Sequence, residues 1–95
     1  MDARVNVERI LELAEGDAHV IRNAGAHVTD DVLRSLEASR SLGTEQVTIM
    51  LHTDCGGREG EADLHAAVRE AASRIGGPVR ALIYDVDSRE LIEVN

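Results

Sequence analysis

His52 and Cys55 stand three residues apart in the run Leu51-His-Thr-Asp-Cys-Gly-Gly57, directly after the β-branched QVTIM. An imidazole and a thiolate on a chain just leaving a strand can turn toward one point and offer two ligands to Zn²⁺. The spacing by itself favours a plainer assignment, a small buried thiol beside an unrelated histidine, because unpaired cysteine is among the most buried residue types. Other thiol chemistries fail on the neighbouring residues. A phosphatase-like thiolate needs an arginine six positions on, where Glu61 stands. A dinucleotide turn needs G-x-G-x-x-G, which GGREG does not supply. Cys55 is the only cysteine, so neither a redox pair nor an intrachain disulfide can form.

The elements that must hold this pair can be read from periodicity and capping. Val7, Ile10, Leu11 and Ala14 recur at helical spacing between Asn6, an N-cap type, and Gly16, a stop. AHVIRNAG, residues 18–25, has the β-branching of a strand that ends in glycine. Thr29 with Asp30 and Asp31 starts a second helix, through hydroxyl capping and two carboxylates at the positive end of the dipole. That helix runs to about Leu42 and stops at Gly43. QVTIMLHT reads as a buried strand and CGGREGE as the Gly-rich turn after it. Leu64, Val68, Ala71, Ala72 and Ile75 form a third helical face, closed by Gly76, Gly77 and Pro78. VRALIYDVDSRELIEV reads as two strands around a turn at Asp87 and Ser88. The resulting order predicts an α/β fold: a three-layer open sheet, mostly parallel, with an antiparallel edge hairpin at the C-terminus. In such sheets ligands bind beyond the carboxyl ends of the strands, where LHTDCGG lies.

Bulk composition narrows the partners. Ninety-five residues, 43% of them hydrophobic, make one domain spanning 1–95. The net charge of −8 is spread from Asp2 to Glu93, and such a surface repels nucleic-acid phosphates and anionic lipids. Tyr84 is the only aromatic residue, so no base-stacking platform is available. All ten basic residues are arginine, a bias to which no function attaches. The start MDARVNVERI has no apolar signal region, and together with the lone thiol this sets a cytoplasmic, reducing compartment as the expectation, with no membrane insertion.

MDARVNVERILEL, GDAHVIRNAG, TDDVLRSLEASRSLGTEQVTIMLHTDCG and LIYDVDSRELIEV, over residues 1–57 and about 79–95, together resemble the β-class carbonic anhydrases in the family's own order. In that family zinc is bound by a cysteine opening a C-x-D-x-R motif and by the two ends of an H-x-x-C motif. Asp2 and Arg4 match the Asp–Arg pair, and His52 and Cys55 match the second motif. The resemblance implies a Zn²⁺ cofactor and reversible hydration of CO₂ to bicarbonate, with Arg4 holding Asp2 off the metal and Asp2 accepting a hydrogen bond from zinc-bound hydroxide. It places Asn23, Ala24, Gly25 and Gly56 on segments that line the pocket, and it implies a homodimer or higher homo-oligomer.

The chain also departs from the family pattern. The family's first zinc cysteine would stand immediately before Met1, on a strand between AHVIRNA and QVTIMLH, so the chain reads as an amino-terminally truncated form. It is shortened again after residue 57, where GREGEADLHAAVREAASRIGG reads as one helix in place of several. Asp2 is then the candidate third ligand. His19, His27 and His65 are the remaining imidazoles, read as surface histidines, with His27 the nearest to the site for a proton relay. Thr53 reads as strand and Asp54 as solvent-facing or turn-capping. Beside the enzyme reading stand a non-catalytic zinc-binding module and a metal-free α/β scaffold whose open sheet edges are covered by a partner or a second copy.

Overall fold

The computed structural model describes residues 1–59 and 63–95. Its elements in chain order are α1 (Val7–Ile10), α2 (Asp30–Ser41), β1 (Val47–His52), a 3₁₀ turn over Gly56–Arg58, α3 (Leu64–Ile75), β2 (Val79–Tyr84) and β3 (Leu91–Val94). The strand order is β1-β2-β3. β1 runs parallel to β2, from Val47 opposite Val79 to His52 opposite Tyr84. β2 and β3 form the expected antiparallel hairpin, Ala81 facing Val94 and Tyr84 facing Leu91. Its turn is built by Asp85, whose carboxylate accepts from the backbone N–H groups of Asp87 and Ser88. The α/β class is as read from sequence, and the three described strands make a mixed sheet with one parallel and one antiparallel pair.

Side chains alternate across the strands, so the two faces of the sheet can be followed separately. Ala81 and Ile83 join Leu51, Val94, Ala67 and Val68 in one apolar cluster beneath α3. Leu82 and Tyr84 point the other way and are also buried, so both faces of the sheet are covered. The Asp63 carboxylate caps α3 by accepting from the Ala66 N–H at 3.0 Å. Because α3 packs on all three strands, Asp63→Ala is expected to lower global stability by about 1 kcal/mol. It should shift the urea midpoint without changing the slope.

Two expectations are altered by the structure. The first helix is a single turn: Glu12 adopts φ +54, and no residue of α1 is buried. So short a helix has little to hold it without an apolar face to bury. Residues 18–25 are not a strand, because an extended segment becomes one only with a ladder partner, and the described sheet offers none beside them. Val20 and Ile21 remain 40% and 44% exposed beside a groove of about 1040 Å³ that the free edge of β1 also lines. The Gly-rich turn after Cys55 is followed as far as Glu59, and its last positions, Gly60 and Glu61, lie outside the described residues.

Candidate functional site

β1 delivers the pair. The Thr53 N–H donates to the Tyr84 carbonyl at 3.0 Å, and Thr53 Oγ1 accepts from the Val86 N–H at 3.0 Å. The chain leaving the sheet is therefore pinned to the end of β2 one residue after His52. Asp54 then takes a left-handed φ of +52, a conformation that aspartate tolerates better than most residues, and this reverses the chain into Cys55. The His52 ring is mostly buried, and its Nδ1 lies 2.7 Å from the Thr53 carbonyl. A carbonyl only accepts, so Nδ1 carries the proton and Nε2 presents its lone pair. Cys55 is half-buried at the same rim.

Asp2 comes to this rim from the other end of the chain. Its Oδ2 lies 3.9 Å from His52 Nε2, beyond hydrogen-bond reach, so neither group satisfies the other. Arg4 grips the carboxylate in a fork: Nε donates to Oδ1 at 3.0 Å and Nη2 to Oδ2 at 2.7 Å, while the Arg4 backbone N–H donates to Oδ1 at 2.8 Å. These side-chain bonds first, then the backbone bond, hold the Asp2 carboxyl far below its ordinary value. Asp2 in turn, and Asp54 after it, push the Arg4 guanidinium upward. A group whose folded pKa is depressed contributes its stabilisation in full above the unfolded value, 3.8, and loses it as pH falls below that. A carboxyl-carbon NMR titration should therefore find Asp2 still ionised at about pH 3, and Arg4→Gln should return it toward the ordinary aspartate range.

Sequence reasoning did not connect Arg4 with Asp54. Nη1 donates to Asp54 Oδ2 at 3.0 Å and Nη2 to the Asp54 carbonyl at 3.0 Å, so one guanidinium joins the Asp2 carboxylate to the residue preceding Cys55. Asp54 does face solvent, with a side chain 79% exposed, and its role as an acceptor could not be read from spacing. The only hint lay in an acidic residue at a strand exit. Arg22 was also unremarked. It donates to the carbonyls of Val5 and Asp2 at 2.9 and 2.8 Å and so fastens the amino-terminal segment that carries Asp2.

Asn23 and Gly25 line the large groove together with Asp2, His52 and Cys55. Gly56 lines a smaller cavity of about 600 Å³ with Asp2, Arg4, His52 and Cys55. Ala24 contributes its backbone instead, packed against Gly57. His27 donates to the Gly57 carbonyl at 3.0 Å. His19 bonds to Ser39 at 2.6 Å, and His65 lies exposed on α3. The donor types at the rim are those zinc takes, an imidazole of fixed tautomer, a thiol and a carboxylate. His52 and Cys55 fit such an ion. Among the described residues, however, no three such side chains converge as a metal-binding group, and the Asp2 carboxylate is bonded to Arg4.

The family model described as carbonic anhydrase matches residues 1–90. A protein of Mycobacterium tuberculosis, "Beta-carbonic anhydrase 1", is 61% identical over 57 residues, which are 59% of this chain and 35% of that protein. A "Carbon disulfide hydrolase" of Acidianus is 46% identical over 57 residues, 59% of this chain and 28% of that one. The matched part of the chain thus spans only 35% and 28% of these curated relatives. Among solved structures, the carbonic anhydrase from Streptococcus mutans superposes with a TM-score of 0.86 at 36% identity, over 100% of this chain and 77% of that one.

Proposed function

Since the chain belongs to the carbonic anhydrase family, in its β class, we propose that it catalyses reversible hydration of CO₂ to bicarbonate at the rim formed by Asp2, Arg4, His52 and Cys55. The observation that carries this reading is the placement of an Arg4-held carboxylate 3.9 Å from an imidazole nitrogen whose tautomer leaves its lone pair free. His52 Nε2 and Cys55 Sγ would hold the metal. When bound, a zinc ion with an open position supplies water acidic enough to attack CO₂ at neutral pH. The other roles belong to the chain. Asp2, kept ionised by Arg4, is a permanent hydrogen-bond acceptor that orients a hydroxyl group beside His52. Arg4 fixes which way that carboxylate faces and, through Asp54, ties it to the Cys55 turn. Asn23 and Gly25 border the space where CO₂ would enter.

Two further readings have their own support. The relatives named for carbon disulfide hydrolysis favour a second linear substrate at the same rim, and the absence of a third converging donor among the described residues favours zinc binding without turnover. Zinc content of protein purified without chelator, followed by stopped-flow hydration of CO₂ and an assay of sulfide release from CS₂, separates them. One zinc per chain with CO₂ turnover is expected. Zinc well below one per chain overturns every metal reading and leaves the scaffold, zinc without turnover leaves the binding module, and CS₂ turnover alone changes the substrate. Homo-oligomerisation is proposed as well, supported by the outer edge of β1, which has no strand partner among the described residues, since proteins cover such edges. Light scattering that gives a monomer would remove it.

A further inference from the structure

Upstream of Cys55 the turn is pinned to the sheet through Thr53, whereas downstream its anchors come from a different segment. Residues 23–27 form a closed loop. The Asn23 side chain donates to the His27 carbonyl at 2.9 Å and accepts from the His27 N–H at 3.1 Å, while Gly25 and Ala26 take φ values of +91 and +50. Two bonds running in opposite senses join this loop to the turn: His27 Nε2 donates to the Gly57 carbonyl at 3.0 Å, and Arg58 Nε donates to the Gly25 carbonyl at 2.6 Å. The Arg58 N–H also donates to the Cys55 carbonyl at 3.0 Å, so the clasp closes on the cysteine's own peptide. The backbones approach so nearly that a Cβ on Gly25 would stand 2.8 Å from the Gly57 oxygen.

We infer that His27 and Arg58 are positioning residues for Cys55, a reciprocal clasp that sets where its sulfur sits relative to His52. The exposed His27 ring is absent from the apolar cluster under α3, so its contribution runs through the Gly57 carbonyl and not through core packing. The inference deepens the reading of Cys55 as a metal ligand and rests on it for its functional meaning.

Cys55 is the chain's only thiol, which makes reaction with an aromatic disulfide at fixed pH a report on this turn alone. His27→Ala and Arg58→Ala should accelerate that reaction by about fivefold or more, as local opening becomes easier. His27→Gln, which keeps an N–H donor, should stay within about twofold of wild type. Val94→Ala, a core change at the far edge of the sheet, controls for lost global stability and should leave the rate unchanged below its melting transition. In a cobalt(II) titration followed by the thiolate-to-metal charge-transfer band, His27→Ala should weaken binding by about tenfold or more, and His27→Gln should restore it. Equal thiol rates in wild type and His27→Ala, or equal acceleration by Val94→Ala, would overturn the clasp. If wild type shows no charge-transfer band, the metal reading of Cys55 fails, while the thiol rates still decide whether His27 and Arg58 position it.

Discussion

Under the proposed function, Cys55→Ser should leave the protein folded and strip it of both metal and CO₂ hydration. The two side chains are nearly the same shape, and Cys55 is half-buried outside the main apolar cluster, so the melting temperature should move by no more than a few degrees. The chemistry changes far more than the shape. A thiolate is a ligand at neutral pH, whereas a serine hydroxyl keeps its proton and binds zinc poorly. Loss of a residue that merely supports a ligand costs about 10–100-fold in metal affinity, and loss of the ligand itself should exceed that. With Asp2 held by Arg4, His52 would be left as the lone donor. Metal analysis of the purified variant should find zinc near the blank, and stopped-flow hydration should match buffer. Turnover that survives the substitution would belong to a contaminant, and undiminished zinc would move the metal away from this rim.

What could be read beforehand divides along a physical line. β1, α2, α3 and the C-terminal hairpin were legible because each is specified locally. Thr29 caps the second helix, whose backbone N–H at Val32 donates to its hydroxyl. Gly43 ends it at a φ of +105, and the apolar positions of α3 recur on the face that meets the sheet. Residues 18–25 misled because β-branching reports a tendency to be extended, while strandhood depends on a neighbour that no local pattern encodes. The helix from Val7 to Ala14 misled in the same way, since its apolar spacing is real but no α1 residue is buried. At the site, His52 and Cys55 were visible from one short spacing. Asp2 and Arg4 became meaningful only through the family pattern, since two residues at the chain start say nothing of a partner fifty positions on. The Arg4–Asp54 bridge and the His27–Gly57 contact are tertiary bonds between loops, and composition and periodicity carry no record of them.

Gly57→Ala should be far more damaging than Gly56→Ala, although the two glycines are adjacent. A methyl group on Gly57 would lie 2.5 Å from both the Ala24 carbonyl carbon and the Gly25 nitrogen, and 2.9 Å from the Ala24 oxygen. All three are backbone atoms, so no rotamer change relieves the contact and the loops must part. On Gly56 the same methyl meets nothing within 4 Å. Overpacking of this kind costs about 1–3 kcal/mol, and a marginal domain has few kilocalories to lose. Separation of the loops would also stretch the bond from His27 to the Gly57 carbonyl and that from Arg58 to the Gly25 carbonyl, so the Cys55 turn should loosen while the sheet stays intact. Denaturation midpoints and cobalt(II) affinity measured side by side should thus fall together in Gly57→Ala and stay near wild type in Gly56→Ala. Equal behaviour of the two variants would mean that the loop contact contributes nothing to the site. A stability loss in Gly57→Ala with unaltered metal affinity would show that the turn holds Cys55 without help from residues 23–27.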